Sequence, residues 1–243
     1  MLSHTFTVMT FNLLGWNRRL GGAVASIAGA DAGVVALQEL TQSAAQVLGE
    51  ELRPRYPYQA LRPDTGFSGG GVLSRFPILW EEPLRLSERG HTCQHLALAL
   101  PGRELHCFNV HLTAPRLRPW PLRYDATRRE AETAALAQRL AGHPGPLVVM
   151  GDFNMTDRSA AYHRLARLLG DAFREAGAGP GKTFPHAPRI GPLRWPLWPA
   201  PYPIIRIDYI FHSREIATRE AHLGDGDGSD HCPVIATLAF AHP

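Results

Sequence analysis

The sequence predicts a layered α/β domain, and three observations carry that prediction. An apolar run, Leu147-Val148-Val149-Met150, is opened by His143-Pro144-Gly145-Pro146 and ends abruptly in Gly151-Asp152-Phe153-Asn154. That pattern is a buried strand delivering an acid and an amide to its C-terminal edge. Other short apolar runs end in the same way, in Asn12, Glu39 and His111. Strand-like and helix-like periodicities also alternate along the chain. Catalytic groups of layered α/β domains commonly sit at such carboxyl ends, although Asp152 taken alone could simply cap the helix that follows.

In order, Thr5 to Phe11 alternates polar and apolar residues, as a strand does, and ends in Asn12. A helix is expected from about Arg18 to Ala30. Val34 to Leu37 is a short buried strand ending in Gln38-Glu39, and a helix from about Ser43 to Leu52 starts with a good cap residue. If the two strands are parallel, Asn12 and Glu39 lie side by side. Gly69-Gly70-Gly71 resembles a phosphate cradle but lacks the Walker spacing and its Lys-Ser/Thr ending. A loop entering a strand toward Ile78 is the better reading. His95–Leu100 and Glu104–Val110 form a hairpin through Pro101-Gly102-Arg103, and the second strand ends in His111. A helix from about Tyr124 to Leu140 leads to the Asp152 strand, and another runs from Ser159 to Leu169. Ile204 to Phe211 is a strand carrying Arg206 and Asp208. The turn Gly224 to Ser229 leads into Asp230-His231, and Val234 to Phe240 closes the domain. That Asp/Gly turn lacks the terminal glutamate of an EF-hand, which removes a calcium loop from consideration.

Composition narrows the classes. At 243 residues, 44% apolar and 19% charged, the chain is globular rather than disordered. No linker or short repeat divides it, so residues 1–243 are expected to form one domain. A net charge of +3, despite a pI near 9.0, excludes a general basic coat; an acidic partner must be met by local patches. Two such patches stand out. Residues 115–129 carry Arg116, Arg118, Arg123, Arg128 and Arg129 with Trp120 and Tyr124. The Pro-rich stretch 177–203 carries Lys182, Arg189 and Arg194 with Trp195, Trp198 and Tyr202, and Arg206 follows it. Asp125 is the only acid in residues 115–129 and 182–206. Cys93, Cys107 and Cys232 are odd in number and sit in or beside apolar runs, as reduced buried thiols do. Neither a signal peptide nor a membrane span is evident, so a cytoplasmic monomer is the expectation.

Gathered together, the polar residues at the ends of apolar runs are Asn12, Glu39, His111, Asp152, Asn154, Asp208, Asp230 and His231. Each alone has an ordinary explanation: a turn residue, a helix cap, an edge histidine, or a surface pair of Asp208 with Arg206. So many in one domain argue against coincidence. The motifs around them, Thr10-Phe11-Asn12, Leu37-Gln38-Glu39, Asn109-Val110-His111-Leu112, Gly151-Asp152-Phe153-Asn154, Arg206-Ile207-Asp208-Tyr209-Ile210 and Ser229-Asp230-His231-Cys232-Pro233-Val234, resemble those of the endonuclease/exonuclease/phosphatase family, in the family's order. The resemblance implies a four-layer α/β sandwich, two mixed β-sheets packed face to face with helices outside. It also implies phosphodiester hydrolysis assisted by Mg²⁺ or Mn²⁺.

The residue types suit that chemistry. Glu39, with Asn12 and Asp230, offers oxygen ligands to a hard cation. His231 can orient or deprotonate a water with Asp208 fixing its tautomer, a pairing the resemblance also implies. Asp152 would orient or deprotonate that water or protonate the leaving oxygen, and Asn154 would donate to a phosphoryl oxygen. His111 matches the family's second histidine, a phosphate contact or general acid. Arg116, Arg118, Arg123 and Arg206 are the candidate substrate contacts. Leu14 stands where abasic-site endonucleases carry an acid, and His111 where they place a tyrosine, which turns the expectation away from that branch. The leading expectation is a nuclease acting on DNA. A phosphodiesterase or phosphatase acting on a phospholipid head group or small phosphate ester is the alternative, and an inactive binding module the third reading.

Overall fold

The computed structural model describes residues 5–119, 122–186 and 203–241. Its elements, in chain order, begin with β1 (Thr5–Asn12), α1 (Leu20–Ala30), β2 (Val34–Gln38), α2 (Gln42–Glu51), β3 (Tyr58–Arg62), β4 (Gly70–Ser74) and β5 (Ile78–Arg85). The hairpin β6 (Thr92–Leu100) and β7 (Arg103–His111) follows, then β8 (Arg116–Pro119), β9 (Leu122–Asp125), α3 (Thr127–Ala141) and β10 (Leu147–Asp152). The last part holds α4 (Ala160–Ala166), β11 (Gly170–Asp171), α5 (Ala172–Ala176), β12 (Asp208–His212), β13 (Ile216–Leu223) and β14 (Val234–Phe240).

The apolar runs decide the layering. One mixed six-stranded sheet has the order β13-β14-β1-β2-β4-β3, and a second has the order β11-β12-β10-β7-β6-β5. Val8, Val34 and Val72 of the first sheet meet Leu96, Leu98, Val148, Met150 and Ile210 of the second in one buried core. The opposite side chains of each strand bury a helix. Met9, Val35 and Leu37 face Ile27 and Leu48 of α1 and α2, while Phe108, Val110 and Val149 face Leu136 and Leu140 of α3. Strands buried on both sides explain why β2, β4 and β10 are apolar without alternation. The result is the expected four-layer sandwich. Each fully buried Leu or Val contributes about 1.5–3 kcal/mol through removal from water.

Local chemistry fixes the boundaries. The Thr41 hydroxyl, not Ser43, caps α2 by accepting the Ala44 N–H, and Ser159 caps α4 through Tyr162 N–H. The Asp152 carboxylate therefore caps no helix. The glycine triplet is mostly strand rather than loop. Gly70 and Gly71 pair with Gln38 and Leu37 in β4, and a Cβ on Gly69 would lie 2.0 Å from the Leu40 carbonyl oxygen. Bare backbone there admits the neighbouring chain, not a phosphate. Among the described residues, no helix is long and apolar enough to cross a membrane. The three cysteines are free and buried.

Candidate active site

Strand pairing places the polar ends together. β1 and β2 are parallel with Asn12 opposite Gln38, so Glu39 emerges beside Asn12. In the second sheet β7 and β10 are parallel with His111 opposite Asp152, while antiparallel β12 sets Asp208 on the other side of Asp152. Asp208 thus opens its strand rather than ending it, and Asp230-His231 sit just before β14, whose start lies against the end of β1. The register at Asp152 depends on Gly151. A Cβ there would fall 1.8 Å from the Val110 carbonyl oxygen, so no other residue lets β10 lie this close to β7.

The side chains form one connected cluster. His231 Nδ1 lies 2.9 Å from Asp208 Oδ2, which leaves Nε2 facing Asp152 Oδ2 and Asp230 Oδ1, each 3.9 Å away. His111 Nε2 stands 3.7 Å from the same Asp152 oxygen. Asn12 Nδ2 donates to Asp152 Oδ2 at 3.1 Å and to Glu39 Oε1 at 3.2 Å, tying the two sheets together across the cleft. The Asn154 backbone N–H donates to Asp152 Oδ1, and its side-chain amide donates to the Leu112 carbonyl and to Asp152 Oδ2. Gly15 N–H holds Glu39 Oε2 at 2.8 Å. Leu14, Glu39 and Asn154 adopt φ of 61°, 56° and 49°, a left-handed backbone that costs of order 1 kcal/mol or more for each non-glycine residue. Strain at two of the cluster's own residues marks a site held in place by its surroundings.

Burial dominates the electrostatics. Desolvation raises the carboxyl pKa of Glu39 and of Asp230, and for Asp152 the charge of Asp208 adds to it. For His231 burial acts to lower the pKa, but the charge and hydrogen bond of Asp208, with Asp152 and Asp230, outweigh it and push the imidazole up to about 10. His111 goes the other way: buried, stacked on His91 at 4.0 Å and facing His231, its pKa falls well below 6.5 and it is neutral. The two histidines therefore differ in charge. Asp208 Oδ1 is buried without a hydrogen-bond partner among the described residues. Several buried carboxylates with an orphaned oxygen form an oxygen-rich donor set that fits a hard divalent cation. Ligand atoms of Asp152, Asp208 and His231 converge within 4.8 Å, and Asn12, Glu39 and Asp230 border them.

The cations divide. Arg206 was expected to touch substrate, but its guanidinium pairs with Asp171 Oδ2 at 2.9 Å and lies over the Tyr209 ring, nearly buried. These contacts tie it to the start of β12, and its acidic partners are Asp171 and Asp157 rather than Asp208. Arg129 is likewise buried, with its guanidinium donating to the Asn154 carbonyl. Arg116 and Arg128 are exposed or half-exposed at the surface. Arg118 and Arg123 lie in the β8–β9 ribbon, but their side chains fall outside the description. Trp120, Arg189, Arg194, Trp195, Trp198 and Tyr202 lie outside the described residues altogether.

Sequence reasoning missed three supports. Thr183 Oγ1 accepts the backbone N–H of Asp208 at 3.3 Å, anchoring the start of β12. Beneath the cleft, Gln38 donates to Thr10 and Asn109, and Asn109 donates to Gln94 and two backbone carbonyls, a buried network bolting the sheets together. Trp16, 59% exposed, meets Phe67, 43% exposed, edge to face at 5.1 Å. Gly15 joins that pair to Glu39, so exposed aromatic rings border the carboxylates. An Asn-Val-His motif inside a buried strand is the one signal that could have revealed Asn109; the aromatic pair is visible only in three dimensions.

Sandwich and cleft together define a class, a four-layer α/β sandwich whose carboxylates and histidines meet where two sheets abut. The sequence matches the profile of the Endonuclease/Exonuclease/phosphatase family over residues 9–231. The chain belongs to that family, whose members are generally hydrolases acting on phosphoester bonds and generally depend on divalent metal. Similar solved structures include an endonuclease/exonuclease/phosphatase from Bacteroides vulgatus, 20% identical, with a TM-score of 0.76 over 98% of this chain and 99% of that one. A family protein from Bacteroides thetaiotaomicron is 18% identical, with a TM-score of 0.77 over 99% and 100% of the two chains. TDP2 from D. rerio, solved with a single-strand DNA product, is 16% identical, with a TM-score of 0.77 over 96% and 98%. No curated protein matched the sequence.

Proposed function

We propose that this protein is a divalent-metal-dependent phosphodiesterase that hydrolyses nucleic acid, with DNA as the favoured substrate and a monomer as the working unit. The observation that carries the reading is the Asp208–His231 pair, 2.9 Å apart, with Nε2 turned toward Asp152 and Asp230. Glu39, Asn12 and Asp230, bordered by Asp152, would hold Mg²⁺ or Mn²⁺. Such an ion, when bound, neutralises charge that develops on phosphoryl and leaving oxygens.

The remaining roles belong to the chain itself. Asp208 keeps a proton on His231 Nδ1 and favours the imidazolium, so Nε2 is the atom that gives up the second proton and, once it has, accepts one from an attacking water. Asp152, its two oxygens fixed by Asn12 and Asn154, orients that water or transfers a proton to the leaving oxygen. Its raised pKa makes the protonated form accessible. His111, neutral and 3.7 Å from Asp152, serves as a hydrogen-bond donor to phosphate rather than as a cation. Asn154 holds Asp152 and adds a donor at the same edge.

DNA is favoured because the exposed Trp16–Phe67 pair borders Glu39, where unstacked bases could lie on the rings. Exposed Arg116 and Tyr124 on the β8–β9 ribbon extend the same chemistry. D. rerio TDP2, of the same fold, was solved with single-strand DNA product. A turnover panel with Mg²⁺ and Mn²⁺ over single- and double-stranded DNA, RNA, sphingomyelin vesicles, inositol phosphates and bis-p-nitrophenyl phosphate tests the assignment. Preferential DNA turnover supports it. Preferential turnover of the vesicles or inositol phosphates would transfer the site to a lipid head group or small ester.

A further inference from the structure

A second cluster of metal-binding side chains lies at the opposite end of β7 from the cleft. His95 of β6, His106 of β7 and His143 of the α3–β10 connection bring one ring nitrogen each within 4.8 Å of one another. His106 and His111 share a strand, roughly 17 Å apart along it at the usual rise per residue. The cluster is thus separate from the carboxylates. We propose that His95, His106 and His143 form a site for a borderline divalent transition ion of the zinc class, which clamps the α3–β10 connection to the β6–β7 hairpin.

The hydrogen bonds select which nitrogens face inward. His95 Nδ1 is held from outside by Glu82 Oε1 at 3.3 Å, and His106 Nε2 by Glu104 Oε1 at 3.1 Å. Carboxylates on the outer nitrogens fix tautomer and ring orientation, as they do behind metal-bound histidines. The inner nitrogens, His95 Nε2 and His106 Nδ1, are then left 3.1 Å apart. Two nitrogens bound tetrahedrally to zinc at 2.0–2.1 Å would be separated by about 3.3 Å, so an ion fits between them with little movement. His143 Nδ1 is buried with no hydrogen-bond partner among the described residues. A ring nitrogen of His143 completes the set.

The surroundings support imidazole ligation. Phe108 stacks on His95 at 3.9 Å, and Trp80 packs edge-on at 4.8 Å, so the rings are braced on both sides. Burial lowers the pKa of all three histidines, His95 to about 4, which keeps them neutral and ready to ligate at neutral pH. Glu82 also pairs with Arg139, whose charge acts on His143, and so offsets its repulsion. All-imidazole donors suit zinc and its neighbours far better than Mg²⁺. The partial exposure of His106 and His143 leaves a fourth position open to water.

Chelator-stripped protein titrated with Zn²⁺ against a chromophoric chelator tests the site, with Co²⁺ absorption reporting nitrogen ligation. The titration is run in a Glu39→Gln/Asp152→Asn/His231→Gln background, which removes the cleft's own ligands so that it does not compete. One equivalent should bind, and Tm should rise by roughly 5 °C at saturating zinc. His143→Asn, on a half-exposed connection, should weaken zinc binding by at least ~100-fold and abolish the Tm response while leaving the zinc-free Tm in place. His106→Gln should do the same to binding. Stoichiometric binding that survives His143→Asn would overturn the proposal. So would failure of the parent to bind zinc at micromolar concentration, which would make the rings a packed aromatic cluster only. Neither result depends on catalysis, so the inference stands or falls apart from the proposed function.

Discussion

Asp208→Asn probes the pair on which the chemistry depends. Both groups are about 2% and 6% exposed, and Asp208 Oδ2 meets His231 Nδ1 at 2.9 Å. Removing one member of a buried ion pair costs about 3–5 kcal/mol. Asp208 also pushes up the carboxyl of Asp152, so its loss relieves that strain and favours the lower end, about 3 kcal/mol, or a fall in Tm of roughly 6–12 °C. The pH dependence has a definite sign. His231 is raised on folding, so its stabilisation is complete below its unfolded pKa of 6.5 and is lost as pH rises through about 10. In chelator, the Tm gap between parent and variant should be widest near pH 6 and narrow toward pH 10. The His231 imidazole, followed by NMR, should titrate well above 6.5 in the parent and lower in the variant. Turnover should fall by about 10²–10⁴-fold, because an amide no longer holds the required tautomer. A Tm gap that does not change with pH, together with an unshifted His231 titration, would refute the pairing.

Three further outcomes follow from named contacts. Glu39→Gly should stabilise the metal-free protein by about 1 kcal/mol, since φ of 56° suits glycine, while Mg²⁺ affinity collapses; calorimetry and titration read both. Trp16→Ala with Phe67→Ala should weaken single-stranded oligonucleotide binding by about 1–3 kcal/mol per lost stack and spare turnover of bis-p-nitrophenyl phosphate; equal loss on both substrates would remove the rings from substrate recognition. Gly151→Ala should cost more than about 4 kcal/mol or prevent folding, because its Cβ has no space beside Val110, and denaturant melting decides.

Much of this architecture was legible because buried strands announce themselves. β1, β2, β7 and β10 are apolar runs that stop at a polar residue, and parallel pairing alone brings Asn12 beside Glu39 and His111 beside Asp152. In the two six-stranded sheets the strands that escaped sequence reading, β3, β11 and β13, together with most of β5, are the outer strands; the two-stranded β8–β9 ribbon escaped it as well. The longer three, β3, β5 and β13, are half-exposed along much of their length, so no continuous apolar run marks them. Arg206 misled for a related reason. It precedes Asp208 closely, yet strand geometry turns it to Asp171, far away in sequence. Trp16 and Phe67 are single aromatics in polar loops, and only the approach of those loops gives them meaning. His95 and His106 lie in separate strands and gain meaning only when His143 is brought to them from another segment.

The central claim is that Glu39 and its neighbours hold a divalent cation without which the cleft does not hydrolyse phosphodiesters. Oligonucleotide cleavage measured across a Mg²⁺ titration of chelator-stripped protein, for the parent and for Glu39→Gln, tests it most directly. Loss of the Glu39 charge removes one anionic ligand from a site where burial already disfavours that charge in the absence of metal. The account predicts no turnover in excess chelator, restoration by Mg²⁺ or Mn²⁺, and a midpoint at least ~10-fold higher in Mg²⁺ for Glu39→Gln, the size of effect that even outer-shell partners of a metal have. Undiminished cleavage in excess chelator, or superimposable titrations for the two proteins, would contradict it.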